Sequence, residues 1–528
     1  MMLRVMQAVA AAAAVAAVVA VLALLTVSGG RDDAEHAATP ATVVESRNPR
    51  TMFDGWKYPD DFLYLSSGGT GHFSGVVVGP SAIPAGVAAE NNALAADLYG
   101  QISAGSVRGA NILYSPAGAY VMLSMLHDMM AGGRTAEQIR DAVGSGMSDV
   151  KARAHVMTTI NRYGPHATFD AAHAMWLSDR FGFGPPVDLG PGADRGDAHA
   201  FYFAEARVLD FADENADGTK PSVKRMNQWA ADSTRGLIGA AVSDDDVGDD
   251  TVLVTGSAAY FKGAWATGFP ARDTREGRFV GYGGSTAADF MNKRGTFGYH
   301  QADGAQILGM PYAGGQLSML VVLPRDRGGL ERIEEGLSAG KIAEWIGGLE
   351  DREVDVSIPK FEIRTGYDMA GPLAGMNVTD AFDEGLADLD GIRRDGGSGN
   401  PHVSLAAHYA YMRIGEECGA PSTLSWVRGT WKETGAAAGC ADDVGDRAGA
   451  HTHMKTGDGG AAEDGRFQSP PSFIADRPFL FAVYDEKSGM ILLMGRISDF
   501  VPTDGPAGGS AHPEVGRDEL SRSGPRPR

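Results

Sequence analysis

Few stretches of this chain have the residue types and spacing for chemistry. Gly336-Leu-Ser338-Ala-Gly340 carries the letters of a nucleophile elbow, the strained turn that lifts a serine hydroxyl above a sheet. Such an elbow needs a buried strand before it and a helix after it, whereas Leu330-Glu-Arg-Ile-Glu-Glu335 ahead of it reads as an amphipathic helix. His451-x-His453 and nearby Cys440 are metal-ligand types, but a glycine-rich run gives them neither fixed geometry nor supporting hydrogen bonds, so they read as solvated loop side chains. Asp244-Asp-Asp246 with Asp249 and Asp250 lacks the alternating spacing of a calcium loop and reads as an acidic turn. No catalytic residue, metal or cofactor is expected, and the chain does not read as an enzyme.

Composition narrows the classes further. The 528 residues, 43% hydrophobic and 21% charged, can fill one large core or two ordinary ones. Only two cysteines, Cys418 and Cys440, exclude a disulfide-dense scaffold and a multi-cysteine metal protein. The net charge of −21 argues against nucleic acid as a partner, since that affinity rests on clustered Lys and Arg. Glycine, 72 residues, is about twice its usual share, so loops should be abundant.

Along the chain, residues 5–27 are apolar except for Gln7 and Thr26, long enough as a helix to cross a hydrocarbon layer. Arg4 precedes the run and a mixed charged segment follows, which sends the remainder across the membrane and makes an extracytoplasmic location the expectation. The length favours a signal anchor, with a cleaved signal peptide as the alternative. Residues 1–30 are thus anchor or signal, 31–86 a spacer, 87–500 the folded domain and 501–528 a disordered tail rich in Gly, Pro and Ser. Helical periodicity begins near Glu90 and again from Ala119 to Met130, and Thr135-Ala-Glu-Gln138 has the form of a capping box. Strand patterns come later, at Val252–Val254, Met319–Leu323, Val354–Ile358 and a closing hairpin from Phe479–Tyr484 to Met490–Met494. Helices early and strands late indicate an α+β fold. Residues 415–472 form a long aperiodic stretch, of the kind that is either functional or disordered.

Several strings, in order, resemble the serpins, the serine protease inhibitor superfamily. They are Asn111-Ile-Leu-Tyr-Ser-Pro116, Gly133-Arg-Thr-Ala-Glu-Gln138, Asn227-Gln-Trp229 with Thr234-Arg-Gly236, and Tyr260-Phe-Lys-Gly-Ala-Trp265 with Phe269 and Asp273-Thr-Arg275. Met310-Pro-Tyr312, Leu323-Pro324, Ile358-Pro-Lys-Phe361, Asp380-Ala-Phe382, Asp476-Arg-Pro-Phe-Leu-Phe481 and Met494-Gly-Arg496 continue the series. The resemblance implies three β-sheets, about eight or nine helices and an exposed reactive-centre loop, here enlarged over 415–472. It also implies inhibition of a serine protease, possible target class trypsin-like, by loop cleavage and insertion of the loop into the central sheet. The chain is expected to act as a monomer. Ser115, Ser257, Trp265 and His408 fall in the region where that sheet opens; Gly118 replaces a usual serine there and Ser257 a usual asparagine.

The loop departs from the family pattern and leaves two registers open. Counted from His408-Tyr-Ala410, the hinge glutamate falls on Glu416, followed by Glu417, Cys418, Gly419, Ala420 and Pro421. A cysteine then replaces the usual glycine, and Pro421 lacks the N–H that a central strand donates. In the second register Glu433, Gly435, Ala436 and Ala438 form the hinge, and Cys418 to Lys432 is an insertion. The cleavage point would then lie about sixteen residues beyond Glu433, where Arg447 is the nearest bait for a trypsin-like pocket. A disulfide between Cys418 and Cys440 would tie this insertion back on itself. The rival expectation is a non-inhibitory serpin-fold binding protein with a degenerate hinge.

Overall fold

The computed structural model describes residues 85–130, 132–144, 167–181, 204–389, 400–416, 423–427, 430–434, 469–500 and 510–511. The apolar run 5–27, Glu417, Cys418, Gly435, Ala436, Ala438, Cys440, Arg447 and the histidines 451 and 453 lie outside them. Among the described residues no helix is long and apolar enough to cross a membrane.

The helices among these residues are α1 (Ala85–Gly105), α2 (Pro116–Asp128), α3 (Gly133–Val143), α4 (Pro221–Ser233), α5 (Leu330–Glu335), α6 (Ala339–Gly347) and α7 (Ala370–Gly375). The strands are β1 (Ile112–Tyr114), β2 (Ala167–Ser178), β3 (Ala204–Leu209), β4 (Leu253–Gly263), β5 (Arg275–Val280), β6 (Ser285–Ala302), β7 (Ala305–Pro311), β8 (Leu317–Pro324) and β9 (Glu350–Pro359). They continue with β10 (Phe361–Asp368), β11 (Val403–Ile414), β12 (Thr423–Val427), β13 (Thr430–Thr434), β14 (Ser472–Ile474), β15 (Phe479–Asp485), β16 (Ile491–Ile497) and β17 (Ser510–Ala511).

One sheet has the order β17-β10-β11-β4-β2-β3; a second has the order β1-β16-β15-β8-β7-β6-β9-β14, with β5 also on β6; the third is the β12–β13 hairpin. The second sheet is continuous because β6 is long enough to pair with β5 over 285–290, with β9 over 290–299 and with β7 over 298–302. This is the α+β class, and the helices and strands read from periodicity are present with boundaries moved by a few residues.

The local details differ where tertiary contacts win. The Thr135–Gln138 string is not a capping box: α3 starts at Gly133 with no side-chain cap. Gln138 instead accepts the N–H groups of Thr379 and Asp380 at 3.1 and 2.9 Å, and Thr135 accepts that of Asp388. Ser338 of the G-x-S-x-G string is the N-cap of α6, accepting the Lys341 N–H. Asp246 of the acidic run accepts both the N–H and the hydroxyl of Ser243.

The first sheet is covered on both faces, which is why β4 reads as an unbroken small and apolar run instead of alternating. Leu253, Ala259 and Phe261 face the main core, where α2, buried from Pro116 to Leu126, packs beneath the sheet. Val254, Ala258 and Tyr260 face a smaller cluster with Trp176 and with Trp229 of α4, whose rings meet edge to face at 5.2 Å. In the second sheet, Gly495 of β16 leaves no more room, because a methyl group at that position would land on the carbonyl oxygen of Ile112 in the neighbouring strand β1. Gly495→Ala should lower stability by ~2 kcal/mol or more, read as a reduced urea midpoint.

Candidate functional site

The main feature of the first sheet is its centre. β10–β11 and β2–β4 are antiparallel, but β4 and β11 are parallel, registered from Leu405 opposite Val254 to Met412 opposite Phe261. The chain leaves β11 at the end where β4 also finishes, so the loop starting after Glu416 emerges at the mouth of this parallel seam. A strand turning back into the seam would run antiparallel to both neighbours. It would replace one slanted parallel ladder by two antiparallel ones, a net gain in backbone hydrogen bonds.

Side chains latch the mouth. Trp265, next to β4, donates its Nε1–H to the Gly415 carbonyl at 2.9 Å and stacks on Tyr312 with ring centroids 4.5 Å apart. Glu416 accepts from the Thr274 hydroxyl at 2.8 Å and from Lys360 Nζ at 3.2 Å, and Lys360 also faces Asp289. Burial by itself would raise the Glu416 carboxyl, but its own backbone N–H, Thr274 and Lys360 outweigh burial and hold it below the usual carboxylate value.

The middle of the seam is held from beneath. Ser115 caps α2, accepting the Gly118 N–H at 2.9 Å, and donates its hydroxyl to the Leu492 carbonyl of β16 at 2.8 Å. Its own N–H is donated to Nε2 of His408 at 2.9 Å, so the His408 proton resides on Nδ1. Ser257 sits opposite His408 on β4 and opposite His173 on β2. A Cβ at 118 would stand 2.8 Å from Ser257 Oγ, so a side chain there would have to displace that hydroxyl.

The structure therefore brings Ser115, Ser257 and His408 together in the middle and sets Trp265 with Glu416 at the mouth. Glu433 is elsewhere, on β13, opposite Leu424. Sequence reasoning did not single out Lys360, Thr274 or His173. Lys360 and Thr274 lay inside quoted strings; an inward histidine in the alternating segment Ala171-x-His173-x-Met175 carried no pattern that marks function.

Comparisons with known proteins agree with this geometry. The model of the family "Serpin (serine protease inhibitor)" matches residues 89–500. The chain is 29% identical over 408 residues to Serpin B6 of Pongo abelii, covering 75% of this chain and 94% of that protein. It is 27% identical over 417 residues to leukocyte elastase inhibitor A of Rattus norvegicus, covering 77% and 97%. Among solved structures it is similar to native protease nexin-1 with heparin, with a TM-score of 0.62, 25% identity and coverage of 79% of this chain and all of that one.

Two substitutions test the latches. Ser115→Ala removes a helix cap and a buried donor, and should cost about 1–2 kcal/mol in chemical denaturation. Glu416→Gln should cost about 1 kcal/mol at neutral pH, given its partial exposure. Because the folded-state carboxyl titrates below its usual value, that difference should be present at neutral pH and vanish as the pH falls through the folded value.

Proposed function

The chain belongs to the serpin family, and from that premise we propose that it is a serine protease inhibitor, not an enzyme, acting by cleavage of its loop and insertion of the cut loop between β4 and β11. The protease serine attacks the bait carbonyl, an ester to the protease forms as the peptide bond breaks, and the new amine stays with the C-terminal piece. Insertion then carries the ester-linked protease away from its productive geometry before water attacks. The observation that supports this is the parallel β4–β11 pairing with the loop leaving at its mouth.

Glu416, tied to Lys360 and Thr274, suits the hinge glutamate, while the small residues suited to insertion lie in Gly435-Ala-Ala-Ala-Gly439. The hairpin reconciles these. With Thr423 opposite Thr434, the β12–β13 hairpin ends beside the point where it begins, so Thr423 to Thr434 is a closed detour within the insertion. A Cys418–Cys440 bridge would staple that detour, and Arg447 is the proposed bait for a trypsin-like protease. The target is met outside the cytoplasm, the chain being anchored or exported through residues 5–27. A second reading, a non-inhibitory binding protein, gains support from Pro421, which obstructs insertion if the strand runs directly on from Glu416.

Incubation with a trypsin-like protease followed by denaturing electrophoresis separates the two. A stable higher-mass adduct, lost in Arg447→Ala, is expected; clean loop cleavage without adduct would defeat the inhibitory proposal. Cleaved protein should also melt at a clearly higher temperature than intact protein, because insertion adds two ladders to the sheet.

A further inference from the structure

The middle of the seam contains a second histidine. His173 on β2, Ser257 on β4 and His408 on β11 form one row across the sheet, all on the core face, continued by Ala204 on β3 and Tyr367 on β10. His173 is 1% exposed and His408 is fully buried. Both ring nitrogens of His173, Nδ1 of His408 and Oγ of Ser257 have no hydrogen-bond partner among the described residues. Four unsatisfied polar atoms thus cluster at the ladder that has to part, where each costs free energy that hydration would recover.

Among the described residues no carboxylate compensates for a charge there. Tyr367 faces His408 from β10, with Arg496 of β16 behind it, itself paired with Glu334 at 2.8 Å. Tyr114 on β1 is committed to the Ala95 carbonyl. Along α2 the titratable groups are Tyr120, His127 and Asp128, of which His127 and Asp128 lie at the far end from Gly118, facing each other at 3.5 Å. Asp380, on the turn against β11, is held by Arg134 and Gln138. On β3, Glu205 pairs with Ala174 and so lies on the opposite face, bound to Arg225 and Arg207. Burial pushes His408 down to about 4, and burial followed by the neighbouring His408 pushes His173 down to about 3.

We propose that His173 and His408 form a proton-operated switch for the central sheet: uptake of protons by the pair drives β4 and β11 apart. Protonation has to await hydration of the rings, so the parted sheet binds more protons than the closed one. The sign follows directly. Closure is fully stabilised above the ordinary histidine value and weakens as the pH falls below it, with opening rising up to about tenfold per pH unit for each histidine. The switch needs neither cleavage nor insertion of the loop, so its test stands apart from the adduct assay.

Hydrogen-exchange mass spectrometry on the full chain between pH 7.5 and 5, corrected for intrinsic exchange, provides the measurement. Peptides from β4 and β11 should show opening that rises roughly a hundredfold or more, while β7 and β8 change far less. His173→Asn should keep the fold and reduce the slope to about that of one proton. The proposal is overturned by a flat profile at β4 and β11, by an equal rise at β7 and β8, or by an unchanged slope in the variant. Should the variant not fold, the wild-type contrast between the two regions decides alone.

Discussion

The parallel ladder between β4 and β11 is the constraint on which the rest of this molecule depends. It joins the two halves of a sheet whose flanking long pairs are antiparallel, and it is the place where a further strand could enter with a gain in hydrogen bonding. Small side chains, Gly256, Ser257, Ala258 and Ala259 on one strand and Ala406, Ala407 and Ala410 on the other, keep its faces narrow enough for α2 on one side and the Trp176–Trp229 cluster on the other.

Two sets of polar contacts hold the ladder closed by different means. At the mouth, Glu416, Lys360, Thr274 and Trp265 form a partly exposed latch, sensitive to salt and solvent. In the middle, Ser115 links the start of α2 to β16 and β11 through three hydrogen bonds in a dry environment, so its loss disturbs three elements together. The unpaired atoms beside it mean that the closed middle is not the best arrangement its own polar groups could have, which is what a sheet built to open requires.

Much of the fold was legible in order and type. Buried runs such as Met319–Leu323 and the closing hairpin are neighbouring strands inside the second sheet, and the apolar run from Ala119 lies in a helix, Pro116–Asp128, that is buried as far as Leu126. What could not be read was which local string would be overruled. Thr135 and Gln138 have the letters of a cap, yet their side chains accept from backbone N–H groups more than two hundred residues away, which tertiary packing brings against the start of α3. The continuity of β6 through three pairings was equally invisible, since a long half-exposed strand has no single alternation.

The family, the α+β class and the absence of an elbow at Ser338 could all be read from the chain alone, because each rests on local residue types in a fixed order. It took the folded molecule to tie Glu416 to Lys360 and Thr274, to put Glu433 on a separate hairpin, and to line His173 up with Ser257 and His408. Those are register relations between strands far apart in the chain. A strand pattern records which residues face the core but not which partner stands opposite, and here the partner is what gives a buried imidazole a role.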